Sequence, residues 1–308
     1  MHSSRGHRLA LLRTLLLAAA AGCASTPPAP VQAPDELLAE AEARFTAEQP
    51  DAALTIVESW DRTTVPARLT PRYDLVHARA LFALDRGFDA FEVLRDFYRD
   101  SPRSDLRPAA VELQWRIGNY LVHTGRAFWI FWSDRRAGKT VLEHLVTNHP
   151  DSTELADALK TLGDLAYEDR DFTMAQERFR ELLRWRPESE WVIYARFRFA
   201  MSLVESLQGP DYDLDRMEHA ERELREFLAA NPENPDFVAA STRSLDLIRE
   251  WQATRHLQIA HFYRTVDNPP GYQLHLQIAS DERYAGTAAN SQARAELGLP
   301  KATTEPGR

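Results

Sequence analysis

Cysteine occurs once in 308 residues, at position 23. A single thiol excludes an intramolecular disulfide and cannot supply the thiolate set of a structural metal site. The ten histidines include no His-Glu-x-x-His, and His256 and His261, five apart, point to different faces of a helix. No Gly-x-Ser-x-Gly turn frames a serine, and the carboxylates of Glu218 to Glu226 alternate with arginine at helical spacing as a solvated face does. No catalytic constellation, cofactor site or metal site is therefore expected. Cations are also in deficit, with 37 Lys and Arg against 46 Asp and Glu, a formal charge of −9. A chain of that sign does not neutralise phosphates, which argues against nucleic acid as a partner.

What is present begins at the N-terminus. Arg5, Arg8 and Arg13 precede an apolar run from Leu15 to Ala21 that ends at Gly22-Cys23. The run is too short to span a bilayer and reads as a cleavable signal peptide over 1–22. Ala20, Ala21 and Gly22 before Cys23 resemble a lipobox, the signal of bacterial lipoproteins in which the cysteine is acylated. That resemblance implies three acyl chains, more than the two that stable anchoring needs. Ala24 rather than Asp after the cysteine implies the outer membrane. Losing 1–22 removes three arginines and no acid, which takes the formal charge from −9 to −12. Residues 23–34 form a linker with four prolines between Ala24 and Pro34, a spacer of roughly 3 Å per residue that reaches on the order of 30 Å.

The body, 35–298, is punctuated by Pro102, Pro150, Pro187 and Pro232, each followed two places later by Ser104, Ser152, Ser189 or Asn234. Proline ends a helix, and Ser or Asn accepts from the free N–H groups of the next, so each pair marks a joint. Val65-Pro66 and Ala285-Gly286-Thr287 read as degenerate joints. The spacings of 36, 48, 37 and 45 residues have no reason to recur in an ordinary bundle. From Leu159 to Pro187 the internal logic is plain, with Gly163 and Ala175 at close-approach slots and Phe179 as the filler. Ala78, Ala90, Leu94 and Pro102 occupy the same slots in one repeat, and Ala220, Leu224, Phe227 and Pro232 in another. These match the tetratricopeptide (TPR) pattern. The expected fold is all-α, a right-handed α-solenoid of about six TPR-like hairpins. The stretch from Asp236 to Asn268, without Gly or Pro, is expected to be one long fused helix, and 299–308 a disordered tail.

Two stretches invite other readings. The apolar run Phe128 to Trp132 followed by SDRRAGKT looks like strand and phosphate loop, but Ser133 stands where a phosphate loop needs its first glycine. The repeat register instead puts Gly138 in the small slot of a second helix. The aromatics Phe128, Trp129, Phe131 and Trp132 in an inserted loop are either a packed plug or a docking patch for a partner or the membrane interface. In the groove lined by first helices, Phe45, Arg79, Phe82, Trp115 and Asn119 are the candidates for holding an extended chain.

The lipobox, proline spacer and hairpins, and then HLQIAHFYRT (His256 to Thr265), Gly271-Tyr272 and Tyr284-x-x-Thr287, resemble the BamD family of outer-membrane lipoproteins. The resemblance covers Asp151 to Leu297 well and the earlier hairpins in outline. It implies a non-catalytic scaffold of a β-barrel assembly (BAM) complex, lipid-anchored at the outer membrane and facing the periplasm. The partners it implies are BamA-like POTRA domains at the C-terminal hairpins, other BAM lipoproteins, and unfolded β-barrel substrates at the N-terminal ones. The competing expectation is another periplasmic TPR lipoprotein that coordinates envelope or cell-wall machinery. Substituting Cys23→Ser removes the acylated thiol, so the variant is expected to leave the membrane fraction with unchanged helical circular dichroism; sedimentation with membranes would mean that protein contacts hold it there.

Overall fold

The computed structural model describes residues 33–124, 127, 128, 132–230 and 232–302. Cys23, Trp129 and Phe131 lie outside them, as do the signal segment, most of the linker and the last six residues.

Proline at the first turn, where its missing N–H costs nothing, opens α1 (Pro34–Thr46), α2 (Pro50–Glu58) and α3 (Thr70–Ala83). α4 (Gly87–Asp100), α5 (Arg107–Thr124), α6 (Asp134–Asn148) and α7 (Leu155–Glu168) follow. Asp171 and Asp213 cap α8 (Phe172–Trp185) and α10 (Leu214–Ala229) through their carboxylates, with α9 (Val192–Glu205) between. The long fused helix is α11 (Pro235–Thr265), 31 residues, capped by Asn234. α12 (Pro269–Ala279) and α13 (Ala288–Glu296) close the array. Consecutive helices pack as hairpins, α1 with α2 through α11 with α12, and among the described residues the main contacts of each hairpin are with its sequence neighbours. The fold is an all-helical solenoid of six hairpins with a terminal helix. Among the described residues the only β pairing is β1 (Ala127–Phe128) against β2 (Trp132–Ser133), antiparallel, in the expected insertion.

The joints differ in one detail from the sequence reading. Ser104, Ser152 and Ser189 each sit three residues before a helix, not at its cap, and their backbone N–H donates back to the carbonyl of Ser101, His149 and Arg186. They shape a turn between helices, in which the Ser104 and Ser189 hydroxyls accept from Leu106 and Trp191 N–H. Only Asn234 caps its helix directly, accepting from the N–H of Asp236 and Phe237.

Within hairpins the first helix ends in one recurring device. Glu48, Asp85, Arg170 and Asp267 all adopt positive φ, between 54° and 66°. The residue after each donates its N–H five places back, as in Gln49 to Arg44 and Asp171 to Ala166. This is the double-bonded helix ending in which glycine is usual, here built four times without it.

The repeat slots are where the sequence put them. Ala78, Ala90, Leu94, Ala175, Phe179, Ala220 and Leu224 are fully buried and Gly163 is buried. What covers Gly163 is the Phe179 ring rather than Ala175: a methyl on Gly163 would stand 2.7 Å from its Cζ. α5 and α6 approach more closely still. A methyl on Gly138 would lie 2.7 Å from the Gly118 carbonyl and from the Val122 N, and one on Gly118 2.7 Å from Leu142. The AGKT stretch is thus interior to α6, its glycine pressed on α5 backbone. Because backbone cannot give way as a side chain can, Gly138→Ala is expected to destabilise by about 1–3 kcal/mol. A chemical-denaturation midpoint equal to wild type would show that the two helices do not touch at that glycine.

Candidate functional site

First helices of adjacent hairpins lie side by side, α1 on α3, α3 on α5 and α5 on α7. In solenoids this face is the one that takes extended ligands. A cleft of about 270 Å³ between α1 and α3 is lined by Glu42, Phe45, Arg72, Leu75, Arg79 and Leu106, among others. Phe45, half-buried, packs between the apolar clusters of the first and second hairpins. Helical spacing places Arg72, Leu75 and Arg79 along one stripe of α3, so Arg79 stands at the cleft where Phe45 forms part of the lining.

Charges around the cleft are mostly spent. Arg62 makes a bidentate pair with the buried Asp74 at 2.7 Å and reaches Asp100 at 2.9 Å. Those pairs hold the guanidinium protonated well above its usual range, while burial pushes the Asp74 carboxyl up against the pull of Arg62. Arg68 pairs with Asp35, Arg72 with Glu42, and Arg86 with Asp89 and Glu58. Arg79 is exposed and, among the described residues, has no carboxylate partner.

The other candidates separate. Phe82 meets Tyr120 edge-on with centroids 5.6 Å apart, and the Arg116 guanidinium lies 5.9 Å from its centroid. Tyr120 in turn donates its hydroxyl to Asp85 at the α3–α4 turn. Trp115 is drawn inward and packs with Val122, Leu142 and Leu162 against the next hairpin, its Nε1 buried without an acceptor. Asn119 accepts at its carbonyl from His123 and its side chain is half-buried. Thus Phe45 and Arg79 share one cleft, Phe82 lies on the same helix face beyond it, and Trp115 is packing. Arg116 and Tyr120 were missed, although with His123 they form an i, i+4, i+7 stripe of α5 legible once its register is set. Of the aromatic loop, Phe128 and Trp132 are partners in the two-residue ladder.

Further along the face, α7 and α9 carry a closed network. Asp164 accepts from Lys160 and from the Tyr194 hydroxyl, and Arg198 lies 4.4 Å from the Tyr167 centroid. The Trp191 indole donates to Asp157 at 2.9 Å. Each of these groups has a partner, so together they stiffen this stretch of the array.

The sequence model of a family described as YfiO, outer membrane lipoprotein, matches residues 132–269. The match runs from β2 to the first residue of α12 and leaves the cleft of α1 and α3 outside. No curated protein matches the sequence significantly. Among solved structures, the C-terminal part of a TPR repeat-containing protein from Cytophaga hutchinsonii is similar at 12% identity and a TM-score of 0.40, over 87% of this chain and 89% of that one. The apo quorum sensor NprR from B. thuringiensis is similar at 10% identity and 0.32, over 86% and 85%. The TPR2AB domain of yeast Sti1, in a complex with pHSP90, is similar at 14% identity and 0.27, over 86% and 92%. At these scores the likenesses say nothing of what this chain binds.

Proposed function

We propose that the protein is a lipid-anchored scaffold of the BamD kind, held at the outer membrane through Cys23 and working in the periplasm by binding alone. The family match over 132–269 supports the outer-membrane lipoprotein part of this reading. Its C-terminal hairpins would then hold a BamA-like POTRA domain and companion lipoproteins. The observation that carries the substrate side is Arg79, the exposed cation without a carboxylate beside Phe45, in a region where Arg62, Arg68, Arg72 and Arg86 are all paired. An unpaired guanidinium next to aromatic rings suits an extended chain that ends in an aromatic residue and a free carboxylate. The last strand of an unfolded outer-membrane β-barrel has that chemistry.

A photocrosslinker at position 45 or 82 is expected to capture a peptide copied from a barrel C-terminus. Amidating the peptide's carboxylate, or Arg79→Glu in the protein, is expected to weaken capture at least tenfold, about 1.5–3 kcal/mol for a lost charge-assisted bond. Crosslinks confined to positions 128–132 would move the site to the aromatic loop and end the cleft reading. Affinity purification from the native envelope separates the partner classes: POTRA-bearing assembly proteins support this reading, and wall synthases support a scaffold of cell-wall machinery.

A further inference from the structure

The contact between the second and third hairpins gathers histidine, tyrosine and arginine with no carboxylate among them. Tyr98 of α4 lies 4.3 Å, centroid to centroid, from His149 just beyond α6, and it stacks on His144 of α6 at 6.1 Å. Phe91 of α4 meets His144 edge-on at 5.2 Å. Arg107, the first residue of α5, donates to His149 Nδ1 at 2.8 Å and lies 5.6 Å from the Tyr98 centroid. Gln114 donates through one amide nitrogen to the Val141 carbonyl at 2.9 Å and to His144 Nδ1 at 3.1 Å.

These donors fix the ring protons. A guanidinium can only donate, so His149 Nδ1 is an acceptor and its proton sits on Nε2. That nitrogen is buried without a partner, as are Tyr98 Oη, Gln114 Oε1 and Ser152 Oγ. A second proton on His149 has only Nδ1 to go to, and Arg107 occupies it. Charging the ring therefore requires Arg107 to leave.

We propose that the Arg107–His149 contact, made within the third hairpin and covered by Tyr98 of α4, is a proton-sensitive clasp, closed with a neutral ring, which on protonation at Nδ1 expels Arg107 from beside Tyr98 and so opens the seam to the second hairpin. The groups facing the pair are Tyr98 and Arg95 from α4, Arg107 from α5, His144 from α6, and Glu154 with Asp151 on the approach to α7. Among the described residues no carboxylate pairs with either ring, so nothing in place would stabilise the charged form.

Burial first, then Arg107 and His144, push His149 from 6.5 down to about 4, and burial with Arg95 lowers His144. A base whose value is depressed in the closed form gives stability that is whole above the ordinary histidine range and is lost as pH falls toward about 4. The seam joins the hairpins that carry Phe45, Arg79 and Phe82 to those from α5 onward, so opening it parts Phe82 from Tyr120 and spoils the open face. The proposal draws on the preceding reading only for the source of acid, since the pH of a periplasm follows the medium.

Amide hydrogen exchange of the full chain in detergent micelles, corrected for chemical exchange, tests this at about pH 7 and about pH 5. From the His149 shift alone, the open population is expected to rise roughly 20-fold, with protection lost in α4 and α6 and kept in α8 and α10. His149→Gln, which keeps an acceptor but cannot titrate, is expected to abolish the change. Wild-type protection that does not alter with pH, or a loss of the same size in His149→Gln, overturns the clasp. If that variant does not fold, Arg107→Gln is the second arm: it removes the cation while leaving a donor, and is expected to shrink the acid response, so an unchanged response overturns it as well. Peptide capture at position 82, read in parallel, can fail while the exchange result stands, which separates the clasp from the substrate reading.

Discussion

The structure depends on how closely two antiparallel helices can approach when one of them carries no side chain at the crossing. Gly138 against the Gly118 carbonyl, Gly163 under the Phe179 ring, and Ala78 and Ala90 in the second hairpin set that distance. A hairpin packed so tightly has little interior of its own. Its large residues, Leu94, Phe97, Phe179 and Leu182, are fully buried in clusters shared with the next hairpin. The array is therefore stable as a stack and not as separate pieces. Truncating one such Phe to Ala costs about 3–5 kcal/mol, which acts on two hairpins at once.

Tight stacking also decides where polar groups can be tolerated. The clusters around Phe97 and Phe179 are apolar throughout. Between them lie Tyr98, Gln114, Trp115, His149 and Ser152, five of the six buried side-chain polar atoms without a partner among the described residues. Each costs about 1–3 kcal/mol unless satisfied. Most of these atoms gather at the α4–α6 seam and the joint beyond α6, which separate the cleft from the rest of the molecule.

Charge is distributed with the same asymmetry. On α7 and α9, Lys160, Asp164, Tyr194 and Arg198 close on one another and stiffen the array. On α1 and α3, Arg44 and Arg72 are paired with carboxylates and Arg79, beside a half-buried phenylalanine, is not. The family match covers the first of these regions and not the second. The parts of the molecule most similar to known lipoproteins are therefore its frame, and the cleft is where this chain can differ.

Periodicity alone determined the hairpins, the long α11 and the small-residue slots, because a 3.6-residue repeat and a proline stop are local properties of the chain. The same local rules kept AGKT in a helix. They misjudged Ser104, Ser152 and Ser189, where a turn of three residues intervenes before the helix, and serine serves a turn as readily as a cap. They also put Trp115 and Phe82 in one groove, since both fall on the inward side of their own helices. Only the tertiary structure decided that Trp115 packs into the cluster shared with the fourth hairpin while Phe82 meets Tyr120 and Arg116 of the third. It likewise decided that Arg79 is left without a carboxylate, and that Tyr98, Arg107, His144 and His149, drawn from three helices and a joint, share one seam. Those facts depend on how neighbouring hairpins are set against each other, and no spacing within a single helix encodes that.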